Sequence, residues 1–115
     1  MSYSQKPSDA AWAVSNDAYT FDYVDVDYVA GMKSGSVLTA AGVWVAAGAE
    51  GNAVYVLCDP DADYAELADD TYTMRVAARD AFCNKQFLNF ADAANAATAQ
   101  AALLAKGIKP VDSAA

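Results

Sequence analysis

The stretch from Leu88 to Pro110 contains one short helix with both of its ends written in, and almost everything upstream reads as strand and turn. Asn89 and Asp92 are both candidates for the N-cap, since either side-chain oxygen can accept from the orphan N–H groups of a first turn. The alanine-rich run from Ala93 to Ala105 then carries only Leu103 and Leu104 as large apolar residues. Gly107 stands where a helix ends in a left-handed residue, and Ile108 can fold back onto Leu103, the contact of a Schellman motif. Lys106 and Lys109 place positive charge at the negative end of the helix dipole. Asp92, Leu103, Gly107 and Ile108 are therefore the expected structural caps. A chain with a single helix at its end must bury the faces of its sheets to fold. The reading is a small α+β domain, mainly β with one C-terminal α-helix.

The strands are legible from period-two alternation. Tyr19, Phe21 and Tyr23 alternate with Thr20 and Asp22; after Tyr23 the phase slips, and Val24, Val26 and Tyr28 alternate with Asp25 and Asp27. The slip predicts a bulge, or a strand that leaves one partner and joins another. Further strands are expected at Ser36 to Ala40, Val43 to Ala47, Ala53 to Cys58 and Thr71 to Ala78, with one more between Ala81 and Phe90. In Thr71 to Ala78, Tyr72, Met74, Val76 and Ala78 share one face and Arg75 the other. Asp59 to Asp70 is acidic and contains Pro60, so it reads as a loop with room for one helical turn around Tyr64 to Ala68. Met1 to Asn16 shows no core pattern, although Tyr3 and Trp12 are costly to leave wet. The expected organisation is an extended N-terminal arm over residues 1–30 and a domain over residues 31–115.

Composition removes several classes of function. The chain has 115 residues, enough for one domain, and no histidine, which takes away the commonest general base and metal ligand. Fifteen acidic against seven basic side chains give a formal charge of -8, with no run of cations, so a nucleic-acid partner is not expected. No apolar stretch is long enough to span a membrane, and the first residues lack a signal-peptide apolar region, so no membrane partner is expected either. Cys58 and Cys83 read as small buried core residues. Asp59-Pro60-Asp61-Ala62-Asp63 mimics the start of a calcium loop, but Tyr64 stands where glycine belongs and Asp70 where glutamate belongs. Paired carboxylates such as Asp69-Asp70, or Asp25 and Asp27, read as surface charge. No catalytic, cofactor or metal residues are expected, and no enzyme.

From Lys33-Ser34-Gly35-Ser36-Val37-Leu38 through Val43 to Val45, Val54 to Cys58, Thr71 to Phe82, Asn84-Lys85 and Leu88-Asn89-Phe90 to Leu103, Leu104, Gly107 and Ile108, the order and spacing of motifs resemble those of the bacteriophage head decoration proteins, the family of the lambda head decoration protein D. The resemblance covers about the last two-thirds of the chain. It implies a β-clip-like domain that acts without chemistry or cofactor. It also implies a homotrimer that binds the major capsid protein on the outer surface of the expanded head. There it would sit at three-fold and quasi-three-fold positions and resist DNA pressure. The implied location is the outer capsid of the virion, and the host cytoplasm during assembly. An adhesive or receptor-binding module of a phage tail or fibre is the alternative.

On that reading the arm aromatics Tyr3, Trp12, Tyr19, Phe21 and Tyr23 become the candidate capsid contacts. Two readings stay open for the Tyr19 to Val29 strand. It can complete the domain's own sheet, or it can add a strand to capsid protein or to a neighbouring subunit. The small side chains of the helix likewise suit packing on its own sheet or lining a three-fold axis.

Overall fold

The computed structural model describes residues 11–13, 20–64, 67–92 and 94–112. Along the chain these form β1 (Ala11–Ala13), β2 (Phe21–Tyr28), β3 (Val37–Thr39), β4 (Ala53–Leu57), a short α1 (Pro60–Tyr64), β5 (Asp70–Ala77), β6 (Ala81–Asn84), α2 (Ala96–Ala105) and β7 (Ile108–Val111). Four strands make one sheet in the order β2-β5-β4-β3, with every neighbour antiparallel. Three make a second sheet in the order β1-β6-β7, in which β6 and β7 run parallel. Parallel neighbours need a long crossover, and α2 lies within it.

The middle of the larger sheet is apolar on both faces. From β4, Val56 enters one cluster and Leu57 the other; from β5, Ala77 enters the first and Met74 and Val76 the second. The first cluster joins the two sheets, since Ala81, Cys83 and Ile108 from the second sheet meet Ala99 and Leu103 from α2 there. The second holds Val26, Tyr28, Met32, Leu38 and Ala62. Tyr28 and Tyr72 meet edge to face in it, with centroids 6.1 Å apart. Burial on both faces explains why Ala53 to Cys58 reads as an almost continuous apolar run rather than an alternating one.

The sheet curls back towards its own first edge. Leu38 bridges Trp44 across the turn after β3, and the Asp27 N–H donates to the Gly42 carbonyl at 3.0 Å. Gly42 has φ +78°, and a Cβ there would overlap the Asp25 carbonyl, so only glycine brings the turn this close to β2.

The structure corrects several expectations. Phe21–Tyr28 pairs with β5 over its full eight residues in one unbroken register, so there is no bulge. The phase slip has a simpler cause. Val24, Val26 and Tyr28 face the second cluster, while Phe21, Tyr23, Asp25 and Asp27 lie on the opposite face. This strand belongs to the domain's own sheet, so an arm reaching to residue 30 is too long. Ala11–Ala13 also pairs, antiparallel to β6, where no element was expected. The helix does not close the chain, because β7 follows it. The acidic loop does hold a helical turn, but it starts at Pro60. Asp59 caps it, accepting from the Asp61 N–H at 2.9 Å, and Pro60 takes the first position, where its missing N–H does no harm.

The N-cap of α2 is also corrected, from Asn89 or Asp92 to Asn95. The Asn95 side chain accepts from the Thr98 N–H at 3.2 Å, and the helix starts at Ala96. Asp92 serves another turn, accepting from the Ala47 N–H at 2.7 Å. Asn89 has its amide engaged by Ser36 and Phe87. At the other end Gly107 has φ +84° and donates to the Leu104 carbonyl at 3.1 Å, while Leu103 and Ile108 are both fully buried in the first cluster.

The start of β2 is clamped. Arg79 donates to both oxygens of Asp22, at 3.1 and 2.6 Å, and Thr20 bonds to Ala78 and Asp80 through its carbonyl and hydroxyl. The hydrogen bond from Arg79 holds the Asp22 carboxyl below its ordinary value of 3.8, against the opposing effect of burial. A folded-state value below the unfolded one gives stability that is present above about pH 4 and lost as pH falls through the lowered value. The two side chains are about one-third open to solvent, which limits the pair to ~1 kcal/mol. Asp22→Asn should therefore melt slightly below wild type at neutral pH, and the gap should shrink as pH falls through the lowered value. Thermal melts across pH check this, and a gap that widened in acid would contradict it.

Gly35 gives a sharper test. It has φ +95°, and a Cβ there would overlap the Phe87 carbonyl; Gly48 has φ +93° and open space around it. Gly48→Ala should cost only the backbone strain, about 1–2 kcal/mol. Gly35→Ala adds a backbone clash and should cost roughly 2–4 kcal/mol, a drop of roughly 10–20 °C in melting temperature. Equal effects at the two positions would show that the approach to Phe87 is not tight.

Candidate functional site

Acidic side chains that chemistry would need to find free are engaged in holding the backbone. Asp59 accepts from the Asp61 N–H through one oxygen and from the Arg75 N–H through the other, both at 2.9 Å. That explains the calcium-like spacing as turn architecture. Glu50 accepts from Gly48 and Asn95 N–H groups, each at 2.8 Å, and the Asn95 bond is the main cause of its lowered pKa. It thereby ties the turn before β4 to the start of α2. Cys58 and Cys83 are free and buried, and burial pushes their thiols up to about 11 and about 12. At neutral pH both are protonated and poor nucleophiles. Among the described residues no group of three potential ligands could hold a metal ion, and no helix is long and apolar enough to cross a membrane.

What the described residues offer instead is surface. Tyr3 and Tyr19 lie outside them. Trp12 falls in β1, opposite Phe82 in the antiparallel register. Phe21 is half-buried against the first cluster, with the Arg75 guanidinium 4.8 Å from its ring centroid. Arg75 is fixed from below by the bond from its Nε to the Cys58 carbonyl at 2.9 Å. Opposite Arg75 in the ladder stands Tyr23, which is 70% exposed. The structure thus brings Phe21 and Tyr23 together with Arg75 on the outer face of β2 and β5. The same face carries Asp25 and Asp27, both exposed, with Thr73 donating to Asp25 at 2.8 Å.

A second exposed apolar area lies on the smaller sheet and helix. Leu104 stands 56% exposed beside a shallow groove lined by Lys85, Ala97, Gln100, Ala101 and Pro110. Phe82 is also exposed, and it pairs in register with Lys109. Sequence reasoning did not single out Phe82 or Arg75 as surface contacts. The signal for Phe82 was its place between Ala81 and Cys83, two small residues of the opposite phase. Two residues on, Asn84 is fully buried, and among the described residues neither polar atom of its side-chain amide has a hydrogen-bond partner.

No curated protein and no solved structure gives a match to this chain. A family model does: that of the bacteriophage PhiTE minor capsid decoration protein matches residues 9–114. The matched span begins before β1 and ends after β7, so it takes in both sheets and the helix. By this match the chain belongs to the bacteriophage PhiTE minor capsid decoration protein family, and it is a capsid component of a phage virion.

Proposed function

We propose that this protein is a cement for the phage head. It binds the major capsid protein on the outer surface of the expanded shell, as a homotrimer at three-fold and quasi-three-fold positions, and stabilises the shell against the pressure of packaged DNA. The observation that carries this reading is the family match across residues 9–114. Supporting it is a surface with exposed Tyr23, Phe82 and Leu104 on a domain in which Asp22, Glu50, Asp59 and Asp92 hold turns and clamps and both thiols are buried. Tyrosine, phenylalanine and arginine are the side chains on which interfaces most often rest. The protein meets the shell from outside, after synthesis and trimerisation in the host cytoplasm. We read the curled four-stranded sheet as a clip-like body.

The contacts we assign to the shell are Tyr3, Trp12 and Tyr19 from the N-terminal segment, together with Phe21 and Tyr23 from the start of β2. The arm on this reading is residues 1–10, ahead of β1, and Trp12 lies within β1 of the smaller sheet. Three linked arms multiply a modest affinity, because after one engages the others bind at high effective concentration.

Mixing the purified protein with expanded heads that lack it, and with unexpanded proheads, tests the reading. Loading should occur on expanded heads alone, in threes by microscopy, and should raise the temperature at which heads lose DNA. Removing residues 1–10 should lower occupancy at least tenfold with little change in melting temperature. Equal loading on both shells, or single copies without three-fold order, would count against the proposal.

A further inference from the structure

The backbone of β2 has one edge that the described residues leave half open. In an antiparallel ladder, residues alternate between pointing their N–H and C=O groups towards one neighbour and towards the other. The Asp27 N–H bonds to Gly42, on the side away from β5. Residues of the same parity therefore face that side too: Phe21, Tyr23 and Asp25. The Gly42 turn covers the edge only from the Asp25 carbonyl onward. Among the described residues nothing pairs with the edge from Phe21 to the Asp25 N–H.

Folded proteins usually blunt such an edge with proline, lysine, a bulge or a very short strand. The edge strand β7 follows this rule, since Pro110 removes a donor from it. β2 does not. It has eight residues, an unbroken register, and neither proline nor lysine. Among the described residues its guards are carboxylates, with Asp25 and Asp27 exposed on the face beside the edge. Carboxylates repel another copy of a chain that carries a charge of -8, but they attract a cationic segment. Beside them the Tyr23 ring stands free, backed by an Arg75 that is held on two sides. Open backbone for affinity, one aromatic for anchorage and flanking charge for selection are what strand addition uses.

We propose that the outer edge of β2, from Phe21 to Asp25, receives an extended segment of the shell protein that carries lysine or arginine opposite Asp25 and Asp27. This rests on the capsid-binding function proposed above. It also reverses the direction of strand exchange suggested by the sequence: the domain is the acceptor, and the shell supplies the strand.

The test uses the full-length protein and expanded heads lacking it. Asp25→Pro removes an N–H that faces away from β5, so it should spare the β2–β5 ladder while closing the edge. Asp25→Lys with Asp27→Lys reverses the selecting charge and leaves the backbone intact. Both should lower occupancy at least tenfold, and added salt should weaken wild-type binding. Amide exchange at Tyr23 and Asp25 should be fast in the free protein and slow on heads. Should the proline variant fail to fold, the lysine pair and the exchange data decide. Wild-type loading with neither variant impaired and both amides still unprotected would overturn the inference while leaving the capsid-binding reading intact. Protection of those amides already in the free protein would mean that the chain itself, or a second copy, fills the edge, and would also overturn it. Failure of wild type to load at all would remove the capsid reading and this inference with it.

Discussion

The structure hangs on Asn89, because nearly every polar group of this residue is committed to a different part of the chain. Its N–H donates to Gly35, its carbonyl accepts from Val37 and from the Trp44 indole, its side-chain oxygen accepts from Ser36, and its side-chain nitrogen donates to Phe87. Ser36 in turn receives the Leu57 N–H on its carbonyl, and Gly35 donates to Leu57 at 2.7 Å. One residue, through its backbone as much as its side chain, thus joins the segment between β6 and α2 to the approach to β3, and through Gly35 and Ser36 to the end of β4. Such a node is worth more than the sum of its bonds, since Gly35, Ser36 and Val37 are buried and a buried polar group that loses its partner is costly. It also explains why Gly35 must be glycine: the chain from Phe87 to Asn89 runs against it.

From that node the two sheets acquire their division of labour. The larger sheet is buried on both faces where the ends of β4 and β5 meet, at Val56, Leu57, Val76 and Ala77, so that stretch has no freedom to carry contacts. Surface for recognition is left to the outlying strands. β2 shows its outer face at Tyr23, and β6 shows Phe82. The clamp between Asp22 and Arg79, with Thr20 bonded to the β5–β6 turn, then bears on the proposed contacts as well as on stability. It fixes where β2 begins, and so where Phe21 and Tyr23 present themselves.

How far the sequence could be read depended on whether a feature is local. β5 was legible face by face, since Met74 and Val76 alternate strictly with Arg75. β2 was legible as a strand but not in its ownership, because period two names the face of a residue and says nothing of which strand lies beside it. The slip at Tyr23 was ambiguous for the same reason; a bulge and a change of which face is aromatic look identical until the register with β5 is known. The start of α2 was blurred by composition. Asn89, Asp92 and Asn95 can all cap, and a run of alanines carries no amphipathic phase to choose among them. β1 and β7 were missed because three residues show no period, and because Pro110 argues against a strand unless that strand is at an edge. At the candidate site the aromatics Phe21 and Tyr23 stood out at once. Arg75 did not, since its role depends on a neighbour across the ladder.

The acidity of the chain takes on a different meaning once the carboxylates are placed. Asp22, Glu50, Asp59 and Asp92 each accept a bond from Arg79 or from backbone N–H groups, so they are parts of turns and clamps. Asp25 and Asp27 remain exposed beside a strand edge that is open among the described residues. A capsid coat component has to accumulate to high local density on the shell without pairing edge to edge before it arrives. Like charge beside the edge opposes that premature pairing at long range, and it does so without blocking the backbone, as proline would. The same charge becomes favourable once a cationic surface replaces the second copy. On the proposed acceptor role, keeping β2 edges from pairing in solution and selecting a shell segment are two outcomes of one electrostatic arrangement, and the sign of the partner's charge decides between them.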